Sequence, residues 1–411
     1  MISTGTLNST QTTRELTPRR IFSIDVFRAF TMLLMIFVND LWSLSGIPAW
    51  LEHSKADQDF LGFADTIFPC FLFIVGMSIP FATRQRLAKG ESTFEIVRHI
   101  VVRSLALLVM GVFTVNVPDL NEQATGLSSE WFQILMVLSF FLIWNVYPNK
   151  SDSPKWIFNG LQLAGVVLLL FLAIRFKGSG PDHTGPMTPQ WWGILGLIGW
   201  TYLTCAIIYL LAHRQPVLLI FSWVAFTLIN IAGHAGWLHQ IWPDGPQDWI
   251  LGNGAFHAFT SAGILATLFL DYLTRTHKVS ELPLRFVSLG TLLLLAGAAL
   301  RQFFIISKIH ATPTWVFICT GIAFIVYAGV YYLVDLKGKA NWFGFIKPAG
   351  TSTLTCYLIP YVYYSVANLS GVSLPQSLTV GVVGLLKSFL FAFLVIGITA
   401  VLGNFKIKLK I

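Results

Sequence analysis

Charge is what this chain has least of. Only 11% of its 411 residues are Asp, Glu, Lys or Arg, against about a quarter in soluble domains, so an ordinary water-facing surface is excluded. The alternating ten-residue apolar segments of an outer-membrane barrel are also missing. Cysteine is scarce, and Cys70, Cys205, Cys319 and Cys356 form no CxxC pair, which leaves a disulfide framework and a zinc site unsupported. No histidine stands at metal-ligand spacing from a second His or Cys, so no metal is expected. The first apolar stretch lacks a small-residue cleavage site and reads as a retained helix, not a signal peptide. There is no repeated fingerprint between halves, no low-complexity tract and no dividing linker.

What is present is a series of apolar runs. A hydrocarbon core of about 30 Å needs roughly 20 apolar residues as helix, and runs of that order fall near 21–43, 62–83, 99–117, 130–147, 156–175, 191–212, 217–237, 252–274, 286–306, 314–335, 348–368 and 376–403. The expected fold is all-α: a polytopic integral membrane bundle of about twelve transmembrane helices. Placing the N-terminus inside puts most Lys and Arg on inside loops, including Arg84, Arg86, Arg103 and Lys347, and leaves Lys55, Lys177 and Lys308 outside. By the positive-inside rule both termini are then cytoplasmic. The net charge of +8 follows from that topology and calls for no nucleic-acid partner. Residues 1–20 read as a cytoplasmic N-terminal segment and 21–411 as a single transmembrane domain.

Ionisable residues inside such helices are costly and often mark function. In "SIDVFRAFTMLLMIFVND", Asp25 and Arg28 share a face near the inner end, as a local ion pair or a phosphate ligand, while Asn39 and Asp40 close the outer end. The loop "WLEHSKADQDF" follows, with His53 among three acids and a lysine, and "FADTIFPCFLFIVGMSIPF" opens the next span with Asp65, which reads as a helix cap or as a functional acid. A lone loop histidine is usually only solvated. Here His53, Asn39, Asp40 and Asp65 can converge on one water-accessible pocket, where a histidine beside carboxylates suits proton abstraction. Far downstream, "DLKGKANWFGFIKPAGTSTLTCYLIPYVYY" is broken by Pro348, Gly350 and Pro360, a candidate cavity wall. Lys387 sits inside the last span, where an internal ion pair is the commoner explanation.

The order of these motifs, ending in "VDLKGKANWFGFIKPAGTSTLTCYL", resembles the heparan-alpha-glucosaminide N-acetyltransferase family. The resemblance is strongest over residues 20–84 and 300–368; between them Gln133 suggests a family position. It implies a multi-pass acetyltransferase of the inner (cytoplasmic) membrane of a bacterium, moving acetyl from cytoplasmic acetyl-CoA to the amine of glucosamine, or of a small glucosamine-containing glycan, at the periplasmic face. His53 matches the family's catalytic histidine, Asn39 its asparagine and Asp65 the acid before the "FPxFxF" helix. His53 is the expected base, oriented by Asp40 or Asp65, and Asn39 an oxyanion donor; an acetyl-His53 intermediate is the alternative. Lys308 and Trp315 resemble an outer-surface pair and Tyr357 an aromatic of the penultimate helix, and with Trp50 they are the expected substrate contacts. Arg28, Arg84, Arg86, Arg103 and Lys347 are the expected acetyl-CoA ligands, reached through a tunnel bounded by the first two helices and the broken one. The chain departs from the family in a loop about two residues longer between His53 and Asp65, and at Ser352 and Pro360. The lipid bilayer is an implied partner, and a homo-oligomer is left open. Rival readings are a secondary transporter of a sugar or sugar derivative, against which no paired broken segments recur, and an O-acyltransferase of a surface glycan.

Overall fold

The computed structural model describes residues 21–147, 155–180, 182–238 and 250–411; the expected N-terminal segment lies outside the described residues. The long helices are α1 (Phe22–Asp40), α2 (Ala64–Ala88), α3 (Thr93–Asn116), α4 (Ser129–Trp144), α5 (Lys155–Arg175), α6 (Ile194–Ala212), α7 (Pro216–His234), α8 (Ala255–Arg275), α9 (Leu282–Leu300), α10 (Pro313–Tyr331), α11 (Thr353–Ser370) and α12 (Gly381–Asn404). Among the described residues no strand forms, only isolated bridges.

Local chemistry sets the helix ends. Ser92 and Glu95 form a reciprocal capping box, so α3 starts in polar residues, six positions before the apolar run expected at 99. Prolines occupy the first turns of α7, α9 and α10, where the missing N–H has no intrahelical acceptor to lose. The first backbone N–H groups of α1, those of Phe22 and Ser23, donate to the distant Asp335 carboxylate, at 3.2 and 3.0 Å.

Ten of these helices are long and apolar enough to cross a membrane. The two other expected spans differ for separate reasons. At 16 residues, α4 is only about 24 Å long, and α11 carries four tyrosines and Pro360 in 18 residues. The expected interruption before α11 is real: a short turn, Lys347–Thr351, ends at Ser352, whose backbone (φ −132°, ψ 45°) leaves the helical region.

At the centre, α2 packs against α1, α6, α8 and α10. Its crossing with α8 is backbone on backbone. A Cβ on Gly76 would lie 1.9 Å from the Thr260 carbonyl oxygen, and one on Gly263 would lie 1.9 Å from that of Phe73. The core grows from this crossing, with Leu72, Phe73, Met77, Phe259 and Trp315 fully buried. At the periphery, α5 packs on α4, α7 on α8 and α9 on α10.

Candidate active site

Because α1 and α2 are joined by a loop of 23 residues, the end of the first and the start of the second lie at the same end of the bundle. There Asp65, in the first turn of α2, is 1% exposed. Its carboxylate is fully engaged: Oδ2 accepts the backbone N–H groups of Ser54 (2.9 Å) and Gly62 (3.1 Å), and Oδ1 lies 2.7 Å from His53 Nδ1. A buried carboxylate so placed needs a donor from the ring, which assigns the proton to Nδ1 and leaves the Nε2 lone pair free. The imidazole is 45% exposed, so its free nitrogen is reachable. Gly62 is required at its position, because a Cβ there would meet the Glu52 carbonyl oxygen at 1.8 Å and Asp65 Oδ2 at 3.2 Å.

Lys308 completes the group from the other end of the sequence. Its Nζ lies 3.8 Å from Asp65 Oδ1, its charge partner, and 3.0 Å from His53 Nδ1, which cannot accept from it while its proton is committed to Asp65. Burial holds this ammonium below its ordinary range, against the opposing pull of Asp65. Asp59 fixes the segment that carries Lys308: its carboxylate accepts from Ile306 N (2.7 Å) and Arg301 Nε (2.9 Å), and these bonds, the backbone one first, hold it below the usual carboxylate range.

Trp315 is not the outer-surface contact that the family resemblance implied. It is fully buried, and its indole N–H donates to the Asp65 backbone carbonyl at 3.2 Å, bracing the acid from behind. Trp50 is 59% exposed and contributes a carbonyl that accepts from Phe63 N at 2.7 Å.

Asn39 and Asp40 do not join His53; among the described residues no hydrogen bond links them to it. They line a neighbouring cavity of about 400 Å³ with Gln133, Tyr357, Tyr361 and Tyr364. Asp40 is therefore not the group that orients His53. Its Oδ2 pairs with Lys387 Nζ at 2.8 Å, Lys387 also reaches Ser43 Oγ at 2.8 Å, and the Tyr364 hydroxyl donates to Oδ1.

The expected acetyl-CoA ligands separate into groups at the opposite helix ends. Arg28 pairs with Asp25 (3.5 Å) and donates to Ser78 Oγ (2.6 Å). Arg103 is within electrostatic range of Arg28, and with Arg86 and Lys410 it is also within range of His99. Arg86 is bound to Glu91 at 2.6 Å. Arg103 sits over the Tyr202 ring at 4.8 Å, and its buried Nε has no acceptor among the described residues. Lys347 is exposed at the turn before α11. Arg84 belongs elsewhere, tied to Asp271 and to the Tyr209 hydroxyl (3.2 Å) at the rim of a larger cavity of about 870 Å³. Among the described residues no cluster of His, Cys, Asp or Glu could hold a metal ion.

Reading the sequence alone passed over Ser54, Gly62, Asp59 with Arg301, and Tyr364. Gly62, three residues before an acid that opens a helix, was the one legible signal among them; the others act across the fold.

Ten apolar helices carrying a buried acid–histidine pair at one end define a multi-pass, all-helical membrane protein. Residues 20–120 match the family model described as heparan-alpha-glucosaminide N-acetyltransferase, catalytic. The mouse (Mus musculus) heparan-alpha-glucosaminide N-acetyltransferase is 36% identical over 203 residues, which is 42% of this chain and 29% of the mouse protein. The human (Homo sapiens) protein of that name is 36% identical over 99 residues, 24% of this chain and 14% of its own length. The similarity is thus to the catalytic part of that family over residues 20–120, and the chain matches less than a third of either relative's length.

Proposed function

We propose that this protein transfers an acetyl group from acetyl-CoA to the amine of glucosamine or of a glucosamine-containing sugar, with His53 as the base. The observation that carries this reading is the free Nε2 of an exposed imidazole whose other nitrogen is bound 2.7 Å from a buried carboxylate. A protonated amine is no nucleophile, so it first gives one proton to solvent; Nε2 takes a second as the nitrogen attacks the thioester carbonyl, and the Asp65 carboxylate stabilises the imidazolium formed. The C–S bond then breaks, and the departing thiolate receives the same proton. For Asn39 to donate to the oxyanion, a kind of contact worth about 3–4 kcal/mol, the thioester carbonyl must lie at the mouth of the neighbouring cavity that Asn39 lines.

The donor's route follows from helix spacing. Arg28, Met32, Ile36 and Asn39 fall at intervals of four, four and three along α1, so they form one stripe. Met32, Ile36 and Asn39 line the tyrosine-rich cavity, and Arg28 lies one turn beyond Met32, about 16 Å from Asn39 along the axis. The nucleotide phosphates would lie on Arg28, Arg103 and Lys347, with the unpartnered Arg103 Nε as a ready donor. The pantetheine arm would follow the stripe. On this reading the basic end is cytoplasmic and the His53 end periplasmic, in the bacterial inner membrane that the family resemblance implies.

The test is coenzyme A release by purified, detergent-solubilised protein given acetyl-CoA with and without glucosamine. Release that needs glucosamine, disappears in His53→Ala with acetyl-CoA binding retained, and shows a raised KM in Arg103→Gln is expected. Folded wild-type protein that binds acetyl-CoA but never releases coenzyme A to glucosamine would remove glucosamine as acceptor. No binding of acetyl-CoA at all would sink the acetyltransferase and favour a sugar carrier.

A further inference from the structure

None of His53, Asp65, Lys308 or Asn39 lines the larger cavity, which has its own architectural cause. Helix α7 packs on α8, and α9 on α10, yet α7 and α9 make no substantial packing with each other. A slot of about 870 Å³ therefore remains between them, floored by α8 and α10. Along α8 it runs from Arg275 to Ala262, about 20 Å at 1.5 Å per residue. That is more than half the hydrocarbon thickness of a bilayer, enough depth for a chain from one leaflet. Its walls are apolar, including Ile220, Leu265, Phe269, Leu289 and Leu293. The residues flanking it on α7 and α9, such as Phe221 and Leu292, are exposed and face where lipid would be.

One end of the slot is basic. Arg84, Arg214 and Arg275 line it with His213 and Asp271. Asp271 is neutralised by Arg84, whereas Arg214 and Arg275 are exposed and, among the described residues, bonded to no carboxylate. At the deep, apolar end stands Trp223, beside Phe317. It lines the slot, and its buried indole N–H, a donor only, has no acceptor among the described residues.

We infer that this slot binds an anionic phospholipid, with one acyl chain between α7 and α9 and the phosphate against Arg214 and Arg275. The apolar depth selects an amphiphile over a soluble anion, and the two uncompensated guanidinium groups select negative charge over a zwitterion. The inference depends only on the chain lying in a bilayer and not on acetyl transfer.

The experiment is native mass spectrometry of the purified full chain, delipidated in detergent and offered equal amounts of phosphatidylglycerol and phosphatidylcholine. Wild type should retain phosphatidylglycerol preferentially. Each arginine near an anionic surface contributes about fivefold, so Arg214→Gln with Arg275→Gln should reduce that preference on the order of 25-fold while phosphatidylcholine retention stays as before. Arg214→Lys with Arg275→Lys should keep most of it. Leu289→Trp, which fills the slot, should reduce retention of both lipids. Equal retention of the two lipids by wild type, or an undiminished preference in the double glutamine variant, would overturn the inference. So would displacement of bound phosphatidylglycerol by acetyl-CoA, which would give the slot to the donor.

Discussion

At the scale of single residues, Asp65 decides what His53 can do. The carboxylate accepts three hydrogen bonds, two from backbone N–H groups and one from the ring. An amide in its place offers one acceptor oxygen and an NH2 that must face a donor. Asp65→Asn should therefore release the ring or turn it to the wrong tautomer. If His53 is a general base, the coenzyme A release rate should fall by about 10² to 10⁴ with KM for acetyl-CoA little changed. An unchanged rate would remove His53 from the chemistry. This pair was legible in the sequence because its members stand 12 residues apart, around one turn into one helix. Lys308, 255 residues from His53, entered only through the family resemblance, since no local pattern can announce a contact made by folding. Trp315, which the resemblance put at the outer surface, is buried because α10 is inserted deep against α2, which covers even its first turn.

At the scale of elements, two devices hold the site together. The first is Asp59, which joins the His53 loop to the segment before α10. Because its carboxyl is held below the ordinary carboxylate range, the unfolded chain binds that proton more tightly than the folded one. The stabilisation is thus complete above the unfolded value of 3.8 and is lost as pH falls through the lower folded value. Thermal unfolding of wild type and Asp59→Asn should show a constant gap from pH 7 to about 5 that closes as pH drops below about 4; a gap that widened on acidification would reverse the assignment. The second device is the glycine crossing of α2 and α8. Gly263→Ala places a methyl group where the Phe73 carbonyl stands, so the helices must separate. An overpacking loss of about 1–3 kcal/mol should appear as a lower unfolding temperature at unchanged helicity, and a neutral outcome would show that the crossing yields. Apolar runs located these helices well, because burial in lipid demands length and hydrophobicity. The same signal missed the capped polar start of α3 and gave no notice of the crossing, since nothing in hydropathy distinguishes a glycine that faces lipid from one that faces a carbonyl.

At the scale of the whole molecule, the first and last helices are closed on each other by a charge pair that the sequence showed only in part. Lys387 stood out inside an apolar span, and an internal ion pair was its commoner explanation; its acid, Asp40, is 347 residues away and was assigned instead to the histidine. In the fold, Asp40 is 2% exposed and Lys387 18%, and the Tyr364 hydroxyl and Ser43 Oγ complete their bonding. Removing one member should be far worse than removing both. Lys387→Met leaves a buried carboxylate without its counter-charge, a change of about 3–5 kcal/mol in comparable sites, whereas Lys387→Met combined with Asp40→Leu leaves no unpaired charge and should recover most of that loss. The double variant also removes Asp40 from the cavity lined by Asn39 and Tyr357 while His53, Asp65 and Lys308 stay in place. If the pair only fastens α1 to α12, unfolding temperature should fall in the single variant and return in the double, with coenzyme A release following stability in both. If Asp40 also recognises the acceptor amine, the double variant should regain stability yet show a raised KM for glucosamine and an unchanged KM for acetyl-CoA.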